Sequence, residues 1–315
     1  MSKHSLDRKL SGFIHNLRAA LPYLEEFDQQ TFVIYLSGGL TEIQNSRVIE
    51  DLALLQQVGI RIILVHGAEF QIRNLYANQA LDYHTENGVF VAEEKNMPII
   101  EQAVSSANWK LLSRLRSCAS QLQAFTGHFL LAEKKNFSDN YDSHFTGSVC
   151  GIDLETLRQA TSDSKLAIIP PFALGEKGRL WILDPIQVAF EVATRLRVKK
   201  LILLDTFPLP NFDNPDSSEI TTDNIYKWLE KEPDLPSAQK IQLTTLTEAC
   251  VPGVDSCHLL DGSIEGSLLA ELLTSKGAGV MITNSLYKRI RQARLNDLKL
   301  IMEILSSPAQ HSAIV

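Results

Sequence analysis

Cysteine is scarce: Cys118, Cys150, Cys250 and Cys257 are the whole complement of a 315-residue chain. Four thiols so spread do not make the disulfide framework of a small secreted domain, and they are expected as core thiols. Cys257-His258 lies near Cys250 without the ligand spacing of a zinc knuckle, so no metal site is expected. No apolar run approaches the roughly 18–20 residues that span a bilayer. Met1 to Gly12 is polar and charged, so no secretory signal is expected either. Positive charge is also short: 30 Lys and Arg against 37 Asp and Glu leave a net charge of −7, the wrong sign for a general nucleic-acid binder. The densest basic stretch, Lys288 to Arg294, reads as the solvated face of a helix. Internal repeats and low-complexity tracts are absent. A content of 44% hydrophobic and 21% charged residues describes an ordinary globular chain, one large domain or two modest ones, expected in the cytoplasm.

From Ser5 to Phe27, Leu6, Leu10, Phe13, Ile14, Leu17, Leu21 and Leu24 recur at helical steps on one face. That stripe packs either on its own domain or on another subunit. Thr31 to Leu36 is a β-rich run stopped by Ser37-Gly38-Gly39, and Asn45 to Gln57 is helical, ending at Gly59. Arg61 to Val65 is a second strand, cut by His66-Gly67-Ala68 and followed by a helix from Glu69 to Gln79. Strand, glycine turn and helix, twice over, predict an α/β fold: a doubly wound, mostly parallel sheet with helices on both faces, preceded by an N-terminal helix. Further buried strands are expected at Phe129–Ala132, Leu166–Ile169, Leu201–Leu204, Cys257–Leu260 and Gly279–Ile282. Helices are expected at Ile99–Leu122, Asp153–Thr161, Pro185–Leu196 and Ser267–Thr274. Pro170-Pro171 marks a lobe boundary. Phe207 to Pro236, rich in Pro, Asp, Asn and Ser, reads as a long excursion with one short helix around Asn224 to Lys231.

A strand that ends in glycines and opens into a helix aims backbone N–H groups above the sheet, a site for phosphate or carboxylate. Ser37-Gly38-Gly39 and His66-Gly67-Ala68 both fit, although any doubly wound sheet needs tight corners of this kind.

Taken in order, Leu21-Pro22-Tyr23, Thr31 to Ile34, and Gly59 to Ala68 resemble the start of the amino-acid-kinase domain of bacterial N-acetylglutamate synthase. Gly127-His128-Phe129, Asp142 with Gly147, Ile152-Asp153 and Cys257 to Leu260 continue the match. Glu265 to Leu273 with Gly277-Ala278-Gly279 is similar to the "LLxEL…GIG" signature of arginine-sensitive members. The resemblance runs from about residue 10 to residue 305. N-acetylglutamate kinase is the sister family of this fold. The resemblance implies a domain plan: an N-terminal helix over 1–27 for oligomerisation and arginine sensing, lobes over 28–171 and 172–286, and a start of an acetyltransferase domain, or a tail, over 287–315.

Kinases of this fold place a lysine in the first strand's "KxGG" turn, a second lysine in the C-terminal lobe and an aspartate that organises both. An arginine in "GLRVT" and an asparagine hold the substrate carboxylates. Here the first turn reads Tyr35-Leu36-Ser37-Gly38-Gly39, with no lysine. The "GLRVT" equivalent reads Asn87 to Val91, with Phe90 at the arginine position. Ile182 and Ile186 replace the two polar residues, Asp184 is a shifted stand-in, and the second lysine falls near Gln242, with Lys240 close by. Phosphoryl transfer rests on electrostatics, and losing one preorganised donor costs about 2.7–4 kcal/mol. The cleft built from Ser37, Gly38, Gly39, His66, Gly67, Ala68 and Asp184 is therefore expected to be degenerate and without kinase activity. ATP with Mg would be implied only by the alternative, an N-acetylglutamate kinase.

Ile290 to Leu298 resembles the opening of the acetyltransferase domain, and the chain stops at Val315. That domain is expected to be absent, and a separate acetyltransferase is a candidate partner. The resemblance assigns L-arginine as allosteric ligand to Tyr23, His258, Ser267, Glu271, Gly277 and Gly279. It also implies a homo-oligomer, a dimer or a hexameric ring, held by the N-terminal helix.

Overall fold

The computed structural model describes residues 3–42, 47–86, 88–118, 122–136, 142–162, 166–206, 209–210, 212, 219–251 and 253–284, all within Met1–Ser285. Helix α1 (Lys3–Phe27) precedes β1 (Thr31–Leu36), α2 (Gly38–Glu42), α3 (Val48–Gln57), β2 (Arg61–His66) and α4 (Glu69–Asn78). Then come β3 (Thr85–Glu86), β4 (Val89–Phe90), α5 (Met97–Cys118), β5 (Ala124–Thr126), β6 (Leu130–Lys134), β7 (Gly147–Ile152) and α6 (Leu154–Ser162). The second half runs β8 (Leu166–Ile169), β9 (Phe172–Leu174), β10 (Leu180–Ile182), α7 (Pro185–Leu196), β11 (Lys200–Asp205), β12 (Glu219–Thr221) and α8 (Thr222–Lys231). It closes with α9 (Ser237–Cys250), β13 (Ser256–Asp261), α10 (Ser267–Leu273) and β14 (Val280–Thr283).

Eight strands form the main sheet in the order β12-β14-β13-β11-β1-β2-β8-β5. Neighbours are parallel except β13 and β14. Strands β1 and β2 are apolar at nearly every position because both faces are covered. Val33, Ile63, Ala167 and Leu201 meet α7 and α9 on one face, and Phe32, Ile62, Leu64 and Ile202 meet α3, α5 and α10 on the other. The mostly parallel sheet, its two helical layers and the leading helix agree with the expected fold class.

Several local expectations need correction. Phe129–Ala132 is not a strand of the main sheet: β6 belongs to a four-stranded sheet, β10-β9-β6-β7, and its Leu131 is exposed. One edge of the main sheet is taken by β5, which its short, mixed sequence did not announce. The excursion before Pro236 holds its short helix where expected, as α8, capped by Thr221 accepting from the Asn224 N–H, but it also contains β12, which was not expected. Helix α9 was unforeseen because its threonines and glutamines dilute the apolar period. Cys250 and Cys257 are core thiols, whereas Cys118 and Cys150 are exposed. Lys288–Arg294, Ile290–Leu298, Phe207 and Asn87 lie outside the described residues.

Helix α1 leaves Leu10, Phe13, Ile14, Leu17 and Leu21 exposed, while Phe27 at its end is buried. Its C-terminal part packs on α10. Among the described residues no helix is long and apolar enough to cross a membrane.

The two sheets predict different costs for one substitution. Leu64→Ala, in the fully buried centre of β2, is expected to cost about 2–5 kcal/mol in urea unfolding. Leu131→Ala, on the half-exposed β6, is expected to cost no more than about 0.5 kcal/mol.

Candidate functional site

Strand β1 pairs with β2 on one side and β11 on the other, all parallel, so the chain reverses its winding direction there. A crevice opens beyond the carboxyl ends of strands at such a point. Here it is a cavity of about 390 Å³, lined by the ends of β1, β2 and β11, the start of α4, the β3–β4 hairpin, the β10–α7 corner and α9.

Both glycine turns are present, and they are already occupied. Glu69, the first residue of α4, accepts the Gly38 N–H through Oε1 at 2.7 Å. A Cβ on Gly67 would meet the Glu69 carboxylate and the Gly38 nitrogen. The turns thus approach closely enough for an internal carboxylate to take up the N–H that would face a bound anion. Behind them Gln71 donates to Gly38 O at 3.0 Å and to Thr41 Oγ1 at 2.7 Å, fixing α2.

Three carboxyl groups, Glu69, Asp184 and Asp205, line the cavity, and Arg73 is the one basic side chain among its described lining residues. Asp184 caps α7, its Oδ1 accepting from Ile186 N at 2.9 Å and Gln187 N at 3.3 Å. Asp205, at the end of β11, accepts from Thr206 N at 2.7 Å and from Gln242 Nε2 at 2.7 Å. Burial raises the pKa of all three carboxyls, and it outweighs the hydrogen bonds that oppose it. Burial likewise pushes the Tyr35 hydroxyl well above its ordinary value. Tyr83 and Phe90 stack at 4.6 Å, and the Arg73 guanidinium sits 3.9 Å over the Tyr83 ring.

Of the residues assigned to this cleft, Ser37, Gly39, Ala68 and Asp184 line the cavity, and Gly38 and Gly67 form the backbone beneath it. His66 does not belong to it. Its ring is fully buried, with Nδ1 2.9 Å from Gly67 O and Asn108 at its side. Phe90, Ile182 and Ile186 do face the cavity, and so does Gln242, whereas Lys240 is exposed. Glu69, Arg73 and Asp205 escaped the sequence reading. Position was the available signal: Glu69 opens the helix after a glycine turn, and Asp205 closes an apolar strand.

A second polar cluster lies at the other end of the sheet. His258, inside β13, approaches Glu271 of α10 with Nδ1 2.6 Å from Oε1. Glu271 Oε2 accepts from Ala278 N at 2.7 Å and Gly279 N at 2.9 Å. On the far side of the imidazole, Nε2 lies 3.0 Å from Lys200 Nζ and 3.0 Å from Ser256 Oγ. The imidazole thus bridges the buried Lys200 to the buried Glu271. Burial alone would raise the pKa of Glu271. The His258 side chain, by hydrogen bond and charge, and the two backbone amides overcome it and hold the value at about 2.

The structure therefore brings together His258, Glu271, Gly277 and Gly279. Ser267 is beside them but gives its hydroxyl to Asp261 O at 2.9 Å. Tyr23 packs half-buried at the same face, its ring 6.3 Å from that of Phe27. Lys200 was missed, since the Lys199-Lys200 pair looks like a solvated strand start. Its Nζ is buried, 5.2 Å over the Phe27 ring. Among the described residues no group of His, Cys, Asp or Glu is arranged to hold a metal ion.

Residues 30–208 match the model of the amino acid kinase family, and the chain belongs to that family. Over 310 residues it is 26% identical to the amino-acid acetyltransferase of Pasteurella multocida (strain Pm70), covering 96% of this chain and 70% of the relative. It is 27% identical over 328 residues to that of Escherichia fergusonii, covering 100% of this chain and 73% of the relative. The crystal structure of N-acetylglutamate synthase from Neisseria gonorrhoeae, complexed with coenzyme A and L-arginine, superposes with a TM-score of 0.82 at 26% identity. That match covers 93% of this chain and 70% of the other.

The two clusters predict opposite pH dependences. Glu69 and Asp184 hold their protons longer in the native state, so they favour folding at low pH and lose that contribution as pH rises through their raised values. Glu69→Gln with Asp184→Asn is therefore expected to raise Tm at pH 7.5, a gain that shrinks by pH 5. Glu271 contributes above the ordinary carboxylate range and is lost only as pH falls toward about 2. Glu271→Gln, which sets an amide NH₂ against existing donors, is expected to lower Tm throughout pH 5 to 8. A thermal-melt series over that range checks both signs.

Proposed function

We propose that this chain is a kinase-silent amino-acid-kinase domain of arginine biosynthesis that binds L-arginine as a regulatory ligand and self-associates through α1. The observation that carries the first part is the charge of the cleft. A migrating phosphoryl group needs cations and unspent N–H donors around it. Here the first turn, Tyr35-Leu36-Ser37-Gly38-Gly39, holds no lysine, the second lysine falls near Gln242, and Glu69 has taken the Gly38 N–H. Three carboxyl groups face the space where negative charge would develop.

The arginine reading rests on the second cluster. Free arginine carries a guanidinium that pairs with a carboxylate and a carboxylate that pairs with a cation or backbone donors. Glu271 and Lys200 supply that pair of charges with His258 between them. A carboxylate has about four acceptor positions, and His258, Ala278 N and Gly279 N use three of Glu271's. Bidentate pairing with a guanidinium thus requires the Gly277–Gly279 turn to release one amide. The L-arginine and coenzyme A in the gonococcal synthase support this assignment and a link to amino-acid acetylation. The exposed stripe of α1, Leu10 to Leu21, supports self-association, since an apolar face of that length is ordinarily covered.

Two measurements test the reading. L-arginine is expected to bind saturably in calorimetry, and Glu271→Ala to abolish the signal while leaving the far-UV spectrum folded. Absence of wild-type binding would remove the sensor assignment. In a coupled nucleotide assay, N-acetyl-L-glutamate with MgATP is expected to give no turnover above a no-enzyme control, and any acetylglutamate-dependent ATP consumption would favour the kinase.

A further inference from the structure

The Glu271 side chain is only 3% exposed, so a ligand cannot reach its carboxylate in the arrangement described. Three groups already occupy it, and they belong to different parts of the fold. His258, 2.6 Å from Oε1, sits on the buried strand β13. The amides of Ala278 and Gly279, both on Oε2, belong to the turn between α10 and β14. In that turn Thr274, Ser275 and Lys276 are exposed and Gly277 to Gly279 half-buried. It is anchored to the end of α10 by the Gly277 N–H, which donates to Thr274 Oγ1 at 3.2 Å, and that hydroxyl donates to Ala270 O at 2.6 Å. Gly277 has a φ of 68°, and a Cβ there would meet Glu271 Oε2, so the turn lies directly against the carboxylate.

We propose that the Thr274–Gly279 turn is a latch, closed on Glu271 in the free chain, that has to swing away before a guanidinium can pair with that carboxylate. The latch rests on the arginine reading of this cluster and adds how the site is kept shut. Of the two covers that hydrogen-bond to Glu271, the turn is the one at the surface, and such segments open at far lower cost than a central strand. Only the open fraction of molecules binds ligand, so the apparent dissociation constant exceeds the intrinsic one by the reciprocal of that fraction. The turn and the guanidinium compete for the same oxygen, Oε2. Loosening the turn therefore tightens binding. A turn that merely supported the site would do the reverse, because loosening it would disorder the ligand's surroundings.

The experiment is calorimetry on the full chain with L-arginine as the probe, comparing wild type with Thr274→Val. That substitution removes the hydroxyl that anchors Gly277 and leaves Glu271, His258 and both amides in place. Thr274 has an extended backbone, which valine adopts equally well. L-arginine is expected to bind Thr274→Val about three- to tenfold more tightly, the factor that the loss of one net hydrogen bond supplies. Hydrogen exchange gives a second readout: the Ala278 and Gly279 amides are expected to exchange faster in the variant, with those of β13 unchanged. Gly277→Ala, which sets a methyl group against Oε2, carries the same expected signs and replaces Thr274→Val where that variant fails to fold. Arginine affinity equal to or weaker than wild type overturns the latch and leaves the sensor reading standing, and unchanged exchange at Ala278 and Gly279 does the same. Absence of arginine binding in the wild-type chain removes the sensor reading, and the latch with it.

Discussion

One hydrogen bond, from the Gly38 N–H to the Glu69 carboxylate, governs what the main crevice can hold. It joins the turns after β1 and β2, two strands buried at every position but the first, and it exists because glycine lets their backbones approach so closely. A turn of this kind ordinarily keeps its N–H for an incoming anion. Here the anion is covalently part of the chain and cannot leave. The rest of the crevice follows the same sign, with Asp184 and Asp205 buried alongside and their pKa values raised by that burial.

The second cluster solves the opposite problem. Lys200 and Glu271 are both buried, and an unpaired buried charge is costly. His258 between them, with Ser256 and two backbone amides, satisfies both ends without direct contact of Lys200 and Glu271. The amino acid kinase framework therefore carries two polar sites of different character. One is rich in acceptors around an open space, and the other is closed on itself.

Strongly patterned segments were legible in the sequence. The runs Thr31–Leu36, Arg61–Val65 and Leu201–Leu204 are apolar on both faces, and only a sheet buried on both sides explains that. Pro185 after Asp184 announces the start of α7 correctly, as cap and first helical residue. Elements built on pairing rather than on burial were illegible: β5, β9 and β12 have three residues each, too few for a period. The site divides in the same way. Missing lysines can be read as letters, and so can the cluster of Glu271 with Gly277 and Gly279. The roles of Lys200, Glu69 and Asp205 depend on which way a side chain turns at a strand end or helix start. His66 shows the limit, for a residue in a glycine turn faced the helix layer instead of the cavity.

Strand β11 begins with Lys200 and ends with Asp205. Five residue steps at about 3.3 Å put these two positions on the order of 17 Å apart along one strand. The strand is thus a mechanical link between the two polar sites: a displacement along its axis moves both ends by the same amount.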